Sequence, residues 1–196
     1  MRSIRQFVAS YCLLPMLLVV GFVFVSCTTA PQSQAEQRAL TTDTAAFLVR
    51  AKETDPSLGN FFENSVGYAA IPEIGKGGMV LGAAYGQGQL FNGDGSLIGY
   101  CDVRQGSVGA QIGGQIYGEL IFFETQAAMD KFQKGQYALA AHLSAVALTA
   151  GAGGAGKYQD GVALFIVRPR GLMAEASVGG QRFSYQSLAD ASKIAR

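Results

Sequence analysis

The 196-residue chain has no Trp, a single His, three Cys, and only 15% charged residues. Each shortage excludes something. One His cannot build a His-rich metal site, and it leaves a His-based catalytic relay with a single candidate, His142. Three Cys cannot supply a disulfide framework: Cys12 and Cys27 fall at or before the end of an apolar leader, so Cys101 stands alone in the remainder. The charge is nearly balanced, with 15 Lys and Arg against 14 Asp and Glu, so no basic excess points to nucleic acid. Hydrophobic residues make up 49%, which places the chain among folded domains rather than disordered ones. What is abundant is Gly, 26 residues, well above the usual share of about 7%. It follows no G-X-Y period. With Val, Ile, Tyr and Phe it implies a β-rich domain with tight turns and backbones in close approach.

Arg2 and Arg5 precede an uncharged run from Phe7 to Ser26, which ends at Cys27. A basic start, an apolar stretch and small residues at its end mark a secretory signal. Phe24-Val25-Ser26-Cys27 resembles a bacterial lipobox, which makes Cys27 the expected lipidation site, with palmitate-type acylation. The alternative is an uncleaved spanning helix; Pro15, Gly21 and the Ser-Cys end favour cleavage. Residues 1–26 are thus expected to be a signal peptide, 27–42 a lipidated Cys with a flexible tether, and 43–196 the folded domain. Once Arg2 and Arg5 are removed, 13 basic residues face 14 acidic ones. Thr28 follows Cys27 where many lipoproteins retained in the inner membrane have Asp, and the resemblance to Gram-negative lipoproteins implies export to the outer membrane, with the domain facing the periplasm.

Residues 43–63 read as two helical pieces, the first capped by Asp43 and the second begun by Asp55-Pro56. Their apolar side is expected to close over a sheet as a lid; the competing reading is a membrane-contacting element flanked by Arg50 and Lys52. From Val66 the pattern alternates. The stretch 78–91 places Gly78, Gly82, Gly86 and Gly88 on one side of a strand, and Met79, Leu81, Tyr85 and Phe91 on the other. Asn92-Gly93-Asp94-Gly95 predicts a hairpin turn, and 108–116 a half-buried strand that leads into an apolar one at Leu120–Phe123. A helix is predicted from Thr125 to Lys134, closed by Gly135. The Ala-rich stretch after it is open between helix and strand. Val162–Val167 and Leu172–Val178 predict strands joined by a turn at Arg168–Gly171, with a further turn at Gly179-Gly180. The fold class is α+β: a curved, mostly antiparallel Gly-rich sheet, sandwich- or barrel-like, with peripheral helices.

Motifs for chemistry are weak. Gly151–Gly156 satisfies G-x-G-x-x-G by letter but is followed by Lys157-Tyr158-Gln159-Asp160-Gly161, a turn rather than a helix. Gly75-Lys76-Gly77-Gly78 lacks the spacing of a phosphate loop. Cys101 has no base supplied by any pattern, Glu119 and Glu124 are spaced to face opposite ways on a strand, and no metal-ligand spacing occurs. No enzyme activity, catalytic residue, metal or cofactor is expected.

The segments GYAAIPEIGKGGMVLGAAYGQGQLF and IGYCDVRQGSVGAQIGGQIYGELIFFET resemble the SYLF domain family. The likeness runs on through MDKFQKGQYALAAHLSAVALTAG and GLMAEASVGGQRFSY, over nearly the whole chain after Cys27. The resemblance implies a non-enzymatic domain that binds acidic phospholipids, and phosphoinositides in eukaryotic members, where an N-terminal amphipathic segment and basic residues take part. It also implies strand character for the stretch after Gly135. Membrane phospholipid is the expected partner, and the reading is of an envelope lipoprotein. A structural module that docks an envelope protein is the alternative. Lys76, Arg104 and Lys157 are the candidate head-group contacts, each a cation beside or near Gly where backbone N–H groups also approach a phosphate.

Overall fold

The computed structural model describes residues 29–136, 138–139, 146–148 and 157–194. Its first helix, α1 (Gln34–Thr54), begins at a capping box: the Ser33 side chain accepts from the Glu36 N–H at 3.2 Å, and the Glu36 carboxylate accepts from the Ser33 N–H at 3.2 Å. This corrects the expected start. Asp43 lies inside the helix, and residues 34–42 are helical rather than tether. Ala30 is also buried, against Tyr100 and Ala191. Asp55 ends α1 in an extended conformation and caps the next turn, accepting from the Ser57 N–H at 2.9 Å with Pro56 at the first position. A short 3-10 turn, Pro56–Leu58, then passes into α2 (Gly59–Asn64). Thr125 caps α3 (Gln126–Gln133), and Gly135 closes it at φ +65°. The last helix is α4 (Leu188–Ile194).

The strands are β1 (Gly67–Gly78), β2 (Leu81–Asn92), β3 (Leu97–Phe123), β4 (Ala138–Leu139), β5 (Val146–Leu148) and β6 (Val162–Ser187). They form one α+β sheet that is antiparallel except for β5, and it is not closed into a barrel. The Asn92–Gly95 turn joins β2 to β3 as expected, with Gly95 at φ +82° and the Gly95 N–H donating to Asn92 O at 2.9 Å. Strand β3 first pairs with β2, up to Leu81↔Val108, and then with β1, from Gly78↔Gly113. Between the two, Gly109 and Gly113 take φ values of +148° and +122°, which side-chain-bearing residues rarely adopt. The curl of the sheet is made there.

Three turn and strand expectations are corrected. Arg168–Gly171 is not a turn: β6 runs through it, and the register passes from Ile116↔Arg170 to Gly118↔Val167. That two-against-one step is a bulge, a place where Pro169, which has no N–H, is tolerated. Gly179 and Gly180 also lie in the ladder, opposite Ser107 and Gly106. Stretch 78–91 is not one strand either, because the chain reverses at Met79-Val80. The Ala-rich stretch contributes strands β4 and β5, while His142 and Gly151–Gly156 lie outside the described residues.

The sheet carries a core on each face. Inside the curl, Ile71, Ile74, Leu90, Val103, Ile121 and Phe123 pack with Met129 and Phe132 of α3. On the outer face, Phe47 and Ala51 of α1 and Leu58 cover Ala70, Leu120, Phe122 and Phe165, with Phe61 and Phe62 packed beside them. Phe122 meets Phe61, Phe62 and Phe165 at ring-centroid distances of 5.4, 4.9 and 5.8 Å. The lid expectation for this N-terminal pair is met. Among the described residues no helix is long and apolar enough to cross a membrane.

Candidate functional site

Among the described residues, no helix covers one end of the sheet, where Met79, Val80 and Leu81 stand exposed. Here β1 turns into β2, and β3 switches from one partner to the other. Gly78 closes the approach, since a Cβ there would lie 2.5 Å from Leu81 O and 2.6 Å from Gly82 Cα. The Met79 N–H donates to Leu81 O at 3.3 Å, and the Gly109 N–H donates to Val80 O at 3.0 Å, tying the hairpin to the bend of β3. Leu81 and Val108 are register partners and so share a face. Met79, Val80 and Leu81 are 69, 66 and 70% exposed, and Val108 and Ile112 are 61 and 62% exposed. Among the described residues, Ile116, further along β3, is 43% exposed, while Val49 on α1 and Leu188 on α4 are exposed on other elements, which is ordinary.

Charge around this end is sparse and cationic on three of its strands. From Ile74 to Leu90 the one charged residue is Lys76; from Val103 to Gly118 it is Arg104. On the neighbouring strand, Glu175 stands opposite Gln111. Lys76 is half-buried within β1, with Ala84 on one side and Gln115 on the other. Arg104 lies in β3 between Tyr85 and Arg182, and its Nε is 3.3 Å from the fully buried Asp102 carboxylate. Lys157 is exposed ahead of the Gln159↔Val162 bridge. Two of the three candidate head-group cations therefore sit in strands whose backbone groups are engaged in ladders, not in loops with free N–H groups as the Gly-rich context suggested. Lys76 lies closest in sequence to the apolar hairpin; Arg104 serves a buried carboxylate.

Interior polar groups are also present. Cys101 has no exposed surface, and burial pushes its thiol far above the ordinary range, with Asp102 and Glu119 adding to the rise. It is not poised as a nucleophile. Glu119, equally buried, accepts from Gln181 Nε2 at 3.1 Å, and desolvation raises its carboxyl to about 7. Tyr117 donates to Gln105 at 3.3 Å nearby on the same strand. A shallow open groove of about 620 Å³ runs between the first half of α1 and Tyr100, lined by Gln34, Gln37, Arg38, Thr41 and Thr42.

Sequence reasoning missed the apolar end. Its residues alternate correctly for a strand, and nothing in that alternation says which apolar face goes uncovered. The signal that was available is the run Met79-Val80-Leu81 at a strand reversal, where polar residues are usual.

Residues 104–192 match the family described as "Ysc84: Las17-binding protein actin regulator". That segment takes in most of β3, then α3, β4 to β6 and most of α4, and so includes Val108 and Ile112 but not the hairpin. The chain is also 27% identical over 154 residues to Beta cell expansion factor A of Aeromonas veronii, covering 78% of this chain and 59% of that protein. It therefore spans less than two thirds of that relative's length. The order of Gly-spaced segments seen in the sequence runs through the matched segment: residues 104–192 of this chain are similar to the Ysc84, or SYLF, family.

Proposed function

We propose that the protein is an envelope lipoprotein, anchored by acylated Cys27, whose SYLF domain binds phospholipid at a membrane surface and catalyses no reaction. The observation that carries this reading is the uncovered apolar end of the sheet, where five large side chains each stand more than three-fifths exposed. Contiguous exposed apolar surface is costly in water and marks a protein or membrane contact. The leader ending in Phe24-Val25-Ser26-Cys27 supports attachment to a membrane, and Thr28 supports export to the outer membrane with the domain in the periplasm. Acyl chains on Cys27 contribute about 0.8 kcal/mol per buried CH₂, so the domain's own affinity need only be modest.

Two measurements test the reading. Cys27→Ala followed by membrane fractionation is expected to deplete the outer-membrane fraction, and unchanged retention would remove Cys27 as the anchor. Flotation of the chain from Thr28 onward, without leader and acyl group, with phosphatidylglycerol-containing vesicles is expected to carry protein upward. Failure to float with any phospholipid composition would overturn phospholipid binding.

A further inference from the structure

From this apolar end we infer that the β1–β2 hairpin is a membrane-inserting wedge, which seats Met79, Val80 and Leu81 in an anionic phospholipid surface with Val108 and Ile112 at its base. The inference rests on the phospholipid-binding reading above and assigns that binding to particular residues. Four observations converge on it.

The first is shape. The wedge is a tight reversal in which Met79-Val80 is the connection between two strands, flanked by the bend of β3, so the exposed apolar residues stand at the edge of the sheet rather than in a groove. Side chains at such a tip enter a fluid surface without needing a complementary partner. Lying about 5–10 Å into the head-group and acyl boundary, they gain the burial that the folded domain denies them. The second is rigidity. The Gly109 N–H bond to Val80 O and the close approach at Gly78 hold the tip to the bend of β3, so insertion needs little further ordering.

The third is charge. The hairpin from Ile74 to Leu90 contains no carboxylate, and its one charge, Lys76, lies three residues before the tip. At about 3.3 Å per residue that is roughly 10 Å behind it, the depth of a phosphate layer when the tip sits among acyl chains. This complementarity selects an anionic surface, which attracts a Lys or Arg lying near it.

The fourth is the state of the rival element. The apolar side of the N-terminal helices is already used. Phe47 and Ala51 are buried on the sheet, Leu58 is buried beside them, and Lys52 Nζ lies 4.2 Å from the centre of the Phe62 ring. Releasing these helices to contact lipid would strip the outer core. The hairpin is apolar and exposed without any rearrangement.

The absence of Trp makes the test direct, because one introduced Trp is the only one in the chain. The chain from Thr28 onward carrying Val80→Trp is mixed with vesicles of phosphatidylglycerol and phosphatidylcholine, and with phosphatidylcholine alone. The expected result is a blue shift of Trp emission and quenching by lipids brominated in the acyl chain, stronger with phosphatidylglycerol. Val49→Trp, on the exposed side of α1, is expected to show neither. In a companion variant, Met79→Ser with Leu81→Ser is expected to lower vesicle partitioning at least about tenfold, which corresponds to 1.4 kcal/mol or more. Both replaced side chains are exposed, so the fold has no reason to fail, and a matching circular dichroism spectrum checks that.

Vesicle binding that leaves the emission of the Val80→Trp variant unshifted, or that shifts the Val49→Trp variant instead, overturns the wedge and leaves phospholipid binding standing. Equal response to phosphatidylcholine alone overturns the anionic selection. Binding to neither vesicle overturns wedge and phospholipid reading together. Self-association through the hairpin, seen in the Val80→Trp variant as a shift that depends on protein concentration without lipid, overturns the wedge in favour of a second copy.

Discussion

Replacing Glu119 by Gln tests how the inner core tolerates a carboxyl group. Glu119 lies on β3 between Tyr117 and Ile121, without exposed surface, in a layer that is otherwise mostly apolar. Its Oε2 accepts from Gln181 at 3.1 Å, and its Oε1 has no hydrogen-bond partner among the described residues. Desolvation is the main cause of the rise in its pKa from 4.5 to about 7, which the Gln181 bond opposes. Between those values the folded protein holds a proton that the unfolded chain has released. Stability is then fullest below the unfolded value, falls as pH rises, and is lowest above about 7, where the buried group is ionised. At 1.36 kcal/mol per unit, the displacement from 4.5 to about 7 amounts to roughly 3 kcal/mol as an upper limit. Glu119→Gln keeps the shape and the acceptor for Gln181 while removing the charge. The variant is expected to gain on the wild type as pH rises from 4.5 to 8. The gain reaches up to about 3 kcal/mol, or roughly 6–12 °C in melting midpoint for a chain of this size. The new amide N–H groups add a constant offset that does not depend on pH. Thermal melts at a series of pH values measure the difference directly. A stability gap between the two proteins that stays constant from pH 4.5 to 8 would refute the reasoning.

Two further outcomes follow from the packing. Cys101 is expected to resist a thiol reagent at pH 8 in the folded protein and to react fully in denaturant, because it is buried and its thiol is held protonated; rapid reaction without denaturant would contradict that burial. Gly88→Ala should destabilise the domain by about 1–3 kcal/mol or more, read as a lower urea midpoint, since the new Cβ would overlap Ala70 O and come within 2.7 Å of Ile71 Cγ1.

Elements that depend on local chemistry were legible in the sequence. The Asn92–Gly95 turn, the α3 helix with Thr125 and Gly135 at its ends, and the Asp55-Pro56 start each carry their signal within a few residues. The start of α1 carried an equally local signal, Ser33 with Glu36, but the polar residues around it read as tether. The long strands were harder for a different reason. A Gly marks a turn in one context and the close passage of a neighbouring strand in another, and only the neighbour decides. Gly179 and Gly180 look like a turn yet face Ser107 and Gly106 across a ladder. The same ambiguity shaped the candidate site. Lys76 and Arg104 were singled out because Gly beside a cation suggests a phosphate loop, whereas these Gly residues belong to strands. The apolar tip escaped notice because exposure is a property of the assembled sheet, and Met79 and Leu81 read in sequence like any core residues.

The unequal ages of β3's two edges bear on how the chain reaches this fold. One edge is satisfied by β2 and β1, which precede it in the chain, but the other waits for β6, with pairings as distant as Gly99 and Ser187. Loop closure over such separations is slow compared with forming the β1–β2 and β2–β3 hairpins. Until residues 162–187 pair, the β3 edge from Gly99 to Phe123 stays open. Such an edge is a template for pairing with another copy. A chain truncated before Val162 is expected to aggregate rather than to form a smaller soluble domain, and the arrival of β6 is the step that removes the hazard.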